Sequence, residues 1–454
     1  MSSRRNVWST KFGFYLAAIG SACGLGNLWR FPYVVGENGG GAFVLLYMSF
    51  ALVVGLPLLI SELSFGQSRK KSILSVFSDL SKKANKKHIV WIARSAVLLS
   101  LIALSYYAVI SGWVLHFLMQ FMVGIYKKDP LYASHSLRTL MENGLLQVGL
   151  ASVHLLVTLI VIMKGVQEGI EKWVGYLMPV FGLLLAILMF KSLSLPSATE
   201  ALRFLFYPNF SELTYSSMIQ AVGHVLFTLS VGFGVMVTYG SYMNEDQHAP
   251  SAGFRVTTID TMISLGAGLL IFPVVLAASN IRLSDPALLF EALPRFLAEM
   301  SGGSIFGIAF FVCLYVAALG ASIGLFEVIV SNLKEQTKLS RSSACWAAGF
   351  VALVLAIAPA LSSTAFEHVQ WGGRGVLEAL DAILINWLLP IVALGICVSF
   401  AYCVKEQELK DIFLDPEKQV SVILYPYWYF SIRYLAPGII FVALMLQVIG
   451  LFSV

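Results

Sequence analysis

Gly20-Ser21-Ala22-Cys23-Gly24-Leu25-Gly26-Asn27 interrupts an apolar stretch that runs from Phe12 to Val35. Glycine weakens a helix, and the small polar residues beside these glycines offer replacement hydrogen bonds. A second stretch, Thr228-Leu229-Ser230-Val231-Gly232-Phe233-Gly234, interrupts another apolar run in the same way. In hydrocarbon, broken backbone is tolerated only where it is buried or lines a cavity. One such span, taken alone, reads as close helix packing through small residues. Two in matching positions read as a site.

The surroundings of these breaks set the medium. The chain has 454 residues, 58% of them hydrophobic and 12% charged, against about 25% charged in an ordinary soluble domain. That excludes a soluble enzyme, a nucleic-acid binder and a disordered scaffold, despite a net charge of +5. Apolar runs divide the chain into eleven expected membrane spans, near 12–35, 41–66, 89–123, 146–163, 173–192, 218–240, 255–280, 305–333, 343–360, 376–404 and 428–452. Arg4-Arg5 resembles an export signal, but the following run is long enough to span and ends in no small-residue cleavage site, so it is expected to stay as a helix. Cys23, Cys313, Cys345, Cys397 and Cys403 lie in or beside apolar runs, and neither a disulfide framework nor a structural metal site is implied. The other histidines (His88, His116, His135, His154, His248 and His368) are scattered and read as loop or interfacial residues.

The broken spans are the first and the sixth, five apart. Two five-helix repeats, the second inverted because five is odd, would place both breaks at one depth, as in inverted-repeat secondary transporters. The expected organisation is an N-terminal tail (1–11), a first repeat (12–192), a second repeat (218–404) and an eleventh helix (428–454). One set of loops holds eighteen Lys and Arg residues and the other seven. The positive-inside rule then makes the N-terminus cytoplasmic and the C-terminus external, in a multi-pass cell (inner) membrane protein.

At such a break, freed N–H groups and positive half-helix ends attract a carboxylate. Freed carbonyls, with Asn27, Thr228 and a nearby acid, supply the hard oxygens that a small cation prefers.

With these residues in view, the chain resembles the neurotransmitter:sodium symporter family over essentially its full length. The most specific block is Gly24-Leu25-Gly26-Asn27-Leu28-Trp29-Arg30-Phe31-Pro32-Tyr33, followed by the stretch from Glu37 to Phe43. Ser105-Tyr106-Tyr107 with Trp113, Met178-Pro179 and the stretch from Phe227 to Gly234 add to it. Eleven spans and a short 124–145 loop without cysteine are similar to the bacterial branch. The resemblance implies an all-α, 5+5 inverted-repeat fold and import of an amino acid with Na+ by alternating access. The implied partners are the amino acid, the sodium ion and the lipid bilayer, with no nucleic acid, for a monomer or weak dimer.

Carried over by position, the resemblance implies a substrate pocket of Ser21, Ala22, Leu25, Gly26, Ala103, Tyr107, Phe227, Thr228, Ser230, Phe233 and Leu325. Family members that carry amines have Asp where this chain has Gly24, so the substrate is expected to bring its own carboxylate: an apolar or aromatic α-amino acid. A first sodium site is implied at Ala22, Asn27, Thr228 and Asp260. Asp260 replaces the usual Asn, and His224 stands where chloride-dependent members have Gln beside Tyr47 and Ser264. Chloride independence is expected, with a neutral, protonated Asp260 as the other reading. A second sodium site would use Gly20, Cys23 and Ala317, but Gly320 and Ala321 stand where the family has two hydroxyls, and Ser322 is one residue late, about 100° round the helix. One sodium per cycle, or a second site that is weak or replaced, is therefore expected. The resemblance further implies an external gate of Arg30 and Asp381, an internal latch of Arg5, Trp8, Tyr242 and Glu335, and a brace at Glu62. A non-transporting amino-acid sensor stays open. So does a proton-coupled transporter using His224, Asp260 or Glu327. No nucleophile motif or phosphate loop supports an enzyme.

Overall fold

The computed structural model describes residues 7–129, 132–133, 135–277, 288–300, 302–414 and 419–452. Nine helices among the described residues are long and apolar enough to cross a membrane: Gly41–Arg69, Ile89–Val123, Gly144–Met163, Val166–Leu193, Ala249–Ala277, Gly303–Gln336, Arg341–Ala360, Val376–Cys403 and Val422–Gly450. The two expected spans missing from that set are the glycine-broken ones. The first consists of Lys11–Ala22, a π-helical turn Gly26–Arg30 and Phe31–Glu37. The sixth consists of Tyr215–Thr228 and Val235–Gly240. Neither half is long enough alone to pass through hydrocarbon. Among the described residues, backbone pairing of the β type is limited to one bridge, Trp371 with Arg374.

Several helices outrun their apolar cores. The fifth starts at Val166 where hydropathy placed its start near 173, because Glu168, Glu171 and Lys172 are helical residues at its watery end. The eleventh starts at Val422 and not near 428. Short amphipathic helices in the loops were not anticipated. Ile73–Ala84 buries Ile73, Val76, Phe77 and Leu80 and packs on the third span.

The packing carries the internal symmetry. Shifting each span by five turns the contacts 3–8, 2–7 and 4–9 into themselves. The same shift pairs 5–8 with 10–3, 1–7 with 6–2, and 1–5 with 6–10, and all of these pairs pack. Two packings break the rule. The first half-helix lies closely on the eighth span, while its mate, the sixth on the third, is far sparser. The sixth span packs on the eighth, with no comparable contact of the first on the third among the described residues. The fold is thus a 5+5 inverted repeat with discontinuous first and sixth helices and an appended eleventh.

Candidate functional site

Both breaks are held open by specific bonds. After Ala22 the chain leaves the helix at Cys23, whose N–H still reaches Ile19 O at 2.7 Å. The Gly24 N–H donates to Ala22 O at 3.0 Å and to Asn27 Oδ1 at 3.1 Å, and the Leu25 N–H donates to the Tyr107 hydroxyl at 2.6 Å. Gly24 has no room for a side chain: an added Cβ would lie 2.5 Å from the Tyr107 hydroxyl and 2.9 Å from Ala321 Cβ. In the sixth span, Ser230 (φ 53°), Gly232 (φ 90°) and Gly234 (φ 79°) all take left-handed backbone conformations. The Ser230 hydroxyl donates to Ser21 O at 2.9 Å and joins the two breaks directly. Buried Glu62 accepts the Gly232 N–H at 2.8 Å, and Ser100 donates to Phe233 O at 2.8 Å.

Between the breaks lies a cavity of about 20 Å³ lined by residues of the first, third, sixth and eighth spans. Nine of the eleven expected pocket residues line it: Ser21, Ala22, Gly26, Tyr107, Phe227, Thr228, Ser230, Phe233 and Leu325. Leu25 and Ala103 are not among its lining, while Gly24 and Ala321 join it. Leu25 lies beside it through its bond to Tyr107, and Ala103 is buried in the third span. That volume is room for about one water, so a larger molecule enters only when the walls part. A larger cavity of about 520 Å³ lies elsewhere, between the first, fifth and seventh spans, and contains none of these residues.

Next to the pocket, Asn27, Asp260, Ser264 and Tyr47 form one buried polar cluster. Asn27 Nδ2 donates to Asp260 Oδ1 at 2.7 Å and to Ser264 Oγ at 2.9 Å. The Tyr47 hydroxyl donates to Asp260 Oδ2 at 3.3 Å and lies 3.2 Å from Ser264 Oγ. The His224 ring stacks against Phe31 with centroids 5.6 Å apart, and neither of its nitrogens has a partner among the described residues. The carboxylate and the Asn27 and Thr228 oxygens are of the chemical type that hard cations take, with Asn27 turning its Nδ2 to Asp260 and its Oδ1 to the Gly24 N–H.

The eighth span looks different. A Cβ at Gly320 would sit 2.4 Å from Gly20 O, and one at Gly324 would sit 2.1 Å from Ser21 Oγ. Gly20 is further enclosed by Val174 and Met178 of the fifth span. Gly320 and Gly324 therefore form a seam that lets the two backbones touch. Ala321 faces the pocket, and Ser322 turns away to His154 of the fourth span, with Oγ to Nε2 at 2.8 Å. His154 and His116 correct the reading of the scattered histidines as loop or interfacial. His154 is fully buried against Ser322 and Tyr315 of the eighth span, and His116 is nearly so beside Phe117 and Gln120 of its own helix.

Of the expected gate residues, Arg30 Nη1 meets Asp381 Oδ2 at 2.5 Å, and the Tyr106 hydroxyl donates to Asp381 Oδ1 at 3.2 Å. At the other end Trp8 is buried, with Nε1 bonded to Tyr239 O at 3.1 Å and its N–H to Tyr242 O at 3.0 Å. Arg5 lies outside the described residues. The Tyr242 hydroxyl donates to Glu327 at 2.7 Å, and Arg341 grips the same carboxylate with contacts of 2.5 and 3.1 Å. Glu335 accepts bonds from Ser72 and Ser75. Sequence reasoning missed Arg341 and treated Glu327 only as a proton carrier. The available signal was an acid deep in an apolar span, which requires a partner. Glu171 was also missed: its carboxylate accepts the N–H and hydroxyl of both Ser9 and Thr10, tying the fifth span to the start of the first helix.

Comparison with known proteins agrees with this architecture. An uncharacterised sodium-dependent transporter of Bacillus subtilis, YhdH, is 32% identical over 100% of both chains. An uncharacterised sodium-dependent transporter of Haemophilus influenzae is 30% identical over 97% of this chain and 98% of its own. The crystal structure of MhsT in complex with L-phenylalanine superposes with a TM-score of 0.90 at 32% identity, over 97% of this chain and 99% of that one. The profile of the Sodium:neurotransmitter symporter family matches residues 5–133 and 121–453. A polytopic chain with two stitched, broken helices and full-length sodium-dependent relatives is thereby placed: it belongs to the Sodium:neurotransmitter symporter family.

Proposed function

We propose that the protein is a sodium-coupled symporter that imports an apolar or aromatic α-amino acid by alternating access, without chloride and with one sodium ion per cycle. The observation that carries this reading is the buried carboxylate of Asp260 beside Asn27, one bond from the break where the Gly24 and Leu25 amides lie. The substrate carboxylate meets the Leu25 and Gly26 amides and the Tyr107 hydroxyl. Its amino group meets carbonyls around Ala22, Phe227 and Thr228. Phe227, Phe233 and Leu325 enclose the side chain, with Ala103 behind them. MhsT holds L-phenylalanine, which supports an amino acid with an apolar side chain.

Sodium binds among Ala22, Asn27, Thr228 and Asp260, where the carboxylate supplies the charge that chloride supplies elsewhere. The glycine seam supports a single ion: Gly20, Cys23 and Ala317 offer carbonyls, and the side-chain oxygens that would complete a second cage are missing. Arg30–Asp381 closes the outer side, with Trp8, Tyr242 and Glu335 on the inner side and Glu62 bracing the sixth span. The protein sits in the cell (inner) membrane with its N-terminus cytoplasmic. Its repeats run from 12 to 192 and from 218 to 404, with the eleventh helix appended after them.

The test is uptake in proteoliposomes, preceded by a thermal-shift screen of the amino acids with and without sodium. Sodium-driven uptake that persists with chloride replaced by gluconate, with a sodium Hill slope near one, is the expected result. Uptake driven by a pH gradient without sodium selects proton coupling. Tight binding without counterflow selects a sensor.

A further inference from the structure

We propose that the cations between helix Ile73–Ala84 and the head of the third span form a docking site for the headgroup of an anionic phospholipid in the leaflet they face. Lys82 and Lys83 end that helix. Asn85 then turns the chain with a left-handed backbone (φ 51°), and the Lys86 N–H returns to Ser81 O at 3.0 Å. Lys86 and Lys87 are thus on the same corner, two residues before the third span begins at Ile89. All four side chains are exposed.

The same loop provides its own comparison. Arg69 is paired with Glu408, and Lys71 with Asp79 at 2.7 Å. Lys83 has only a distant share of Glu408, at 3.6 Å. Lys82, Lys86 and Lys87 have no ion pair among the described residues. Pairing has therefore neutralised one end of the loop and left the other with a net field.

The third span supplies the apolar half of the site. Trp91, Arg94 and Leu98 share one exposed face at i, i+3 and i+7. Trp91 is 64% and Leu98 55% exposed, and the Arg94 guanidinium lies 4.6 Å from the Trp91 ring centroid. An exposed tryptophan in the first turn of a spanning helix marks the membrane boundary. Four lysines above it and an arginine beside it match a phosphate diester whose acyl chains run down past Leu98. Clusters of this kind next to a spanning helix attract anionic lipids. Loop charge that served topology alone would not require Trp91 and Arg94 to extend the cluster into the lipid-facing stripe.

The full chain in phosphatidylcholine nanodiscs tests this with dibrominated phosphatidylglycerol or dibrominated phosphatidylcholine as quencher. The Trp91 signal is the difference between the wild type and Trp91→Phe. At equal mole fraction the brominated phosphatidylglycerol is expected to quench Trp91 about threefold more strongly. Lys82→Gln/Lys86→Gln/Lys87→Gln is expected to bring that ratio to about one, while Lys164→Gln/Lys172→Gln leaves it unchanged. A wild-type ratio near one overturns the proposal, whether or not the triple variant can be prepared. So does a ratio that the triple variant preserves, or one that both variants lower equally. Amino-acid binding by the triple variant, which leaves the pocket untouched, reports that it is folded.

Discussion

Asp260 and Gly24 carry the most chemistry per atom. Asp260 is almost fully buried, and its carboxylate is held by Asn27 and Tyr47. A charge fixed there favours a neighbouring cation without a mobile anion. Asp260→Asn removes that charge and leaves the shape. Uptake by this variant is expected to fall about tenfold in gluconate and to recover in chloride; a tenfold effect corresponds to about 1.4 kcal/mol. Equal uptake in both media would remove Asp260 from the coupling role.

Gly24 acts through space rather than charge. Its missing Cβ leaves the Tyr107 hydroxyl close enough to accept the Leu25 N–H. Gly24→Ala is expected to weaken amino-acid binding about tenfold, by pushing on a packed wall. In a Tyr107→Phe background the same substitution is expected to cost less, because the closest clashing atom is gone. A double-mutant cycle on binding affinity measures that difference. Additive losses would show that Tyr107 is not what Gly24 makes room for.

Elements behave differently from single residues, and the pairing of the first half-helix with the eighth span is the clearest case. Gly20 and Ser21 of the first half-helix meet Gly320 and Gly324 of the eighth span, and Gly24, in the break, meets Ala321. Direct contact with Gly20 O leaves no room for a side chain at Gly320. Restoring the hydroxyls by Gly320→Thr/Ala321→Ser is therefore expected to overpack the seam, at a cost of about 1–3 kcal/mol. The expected readout is a lower melting temperature with the sodium Hill slope still near one. A slope clearly above one at the wild-type melting temperature would reinstate a second site.

The absence of hydroxyls at Gly320 and Ala321 was legible in the sequence, because it depends on one helix alone. So were the two breaks, since glycine and small polar residues act on their own backbone. The seam's closeness was not, because it depends on where Gly20 O lies. Glu327 shows the same limit: its need for a partner is local information, but the choice of Arg341 and Tyr242 is tertiary. Helix ends at Val166 and Val422 escaped for another reason. Hydropathy finds the hydrocarbon core, whereas helices continue into the polar interface.

At the scale of the whole molecule, the symmetry of packing and its two exceptions bear on energetics. Ala22 and Thr228 line the pocket and also belong to the sodium site proposed above, so in that reading sodium and amino acid share a wall. Any effect of one on the other's affinity is then reciprocal and of equal size. The pocket is shut to about one water's volume, and opening it separates elements joined by the Ser230–Ser21 bond and by the seam. If one sodium drives this cycle, its stoichiometry sets a thermodynamic limit that does not depend on rates. With the membrane potential clamped at zero and an inward tenfold sodium gradient, one ion per amino acid balances an inside-to-outside amino-acid ratio of about ten, and two ions about a hundred, since each tenfold gradient is worth about 1.4 kcal/mol. Proteoliposomes preloaded with graded concentrations of labelled substrate locate the ratio at which net flux reverses. Reversal near ten is the expected result. Reversal near a hundred would mean that a second ion is carried despite Gly320 and Ala321, and that the seam opens during the cycle to receive it.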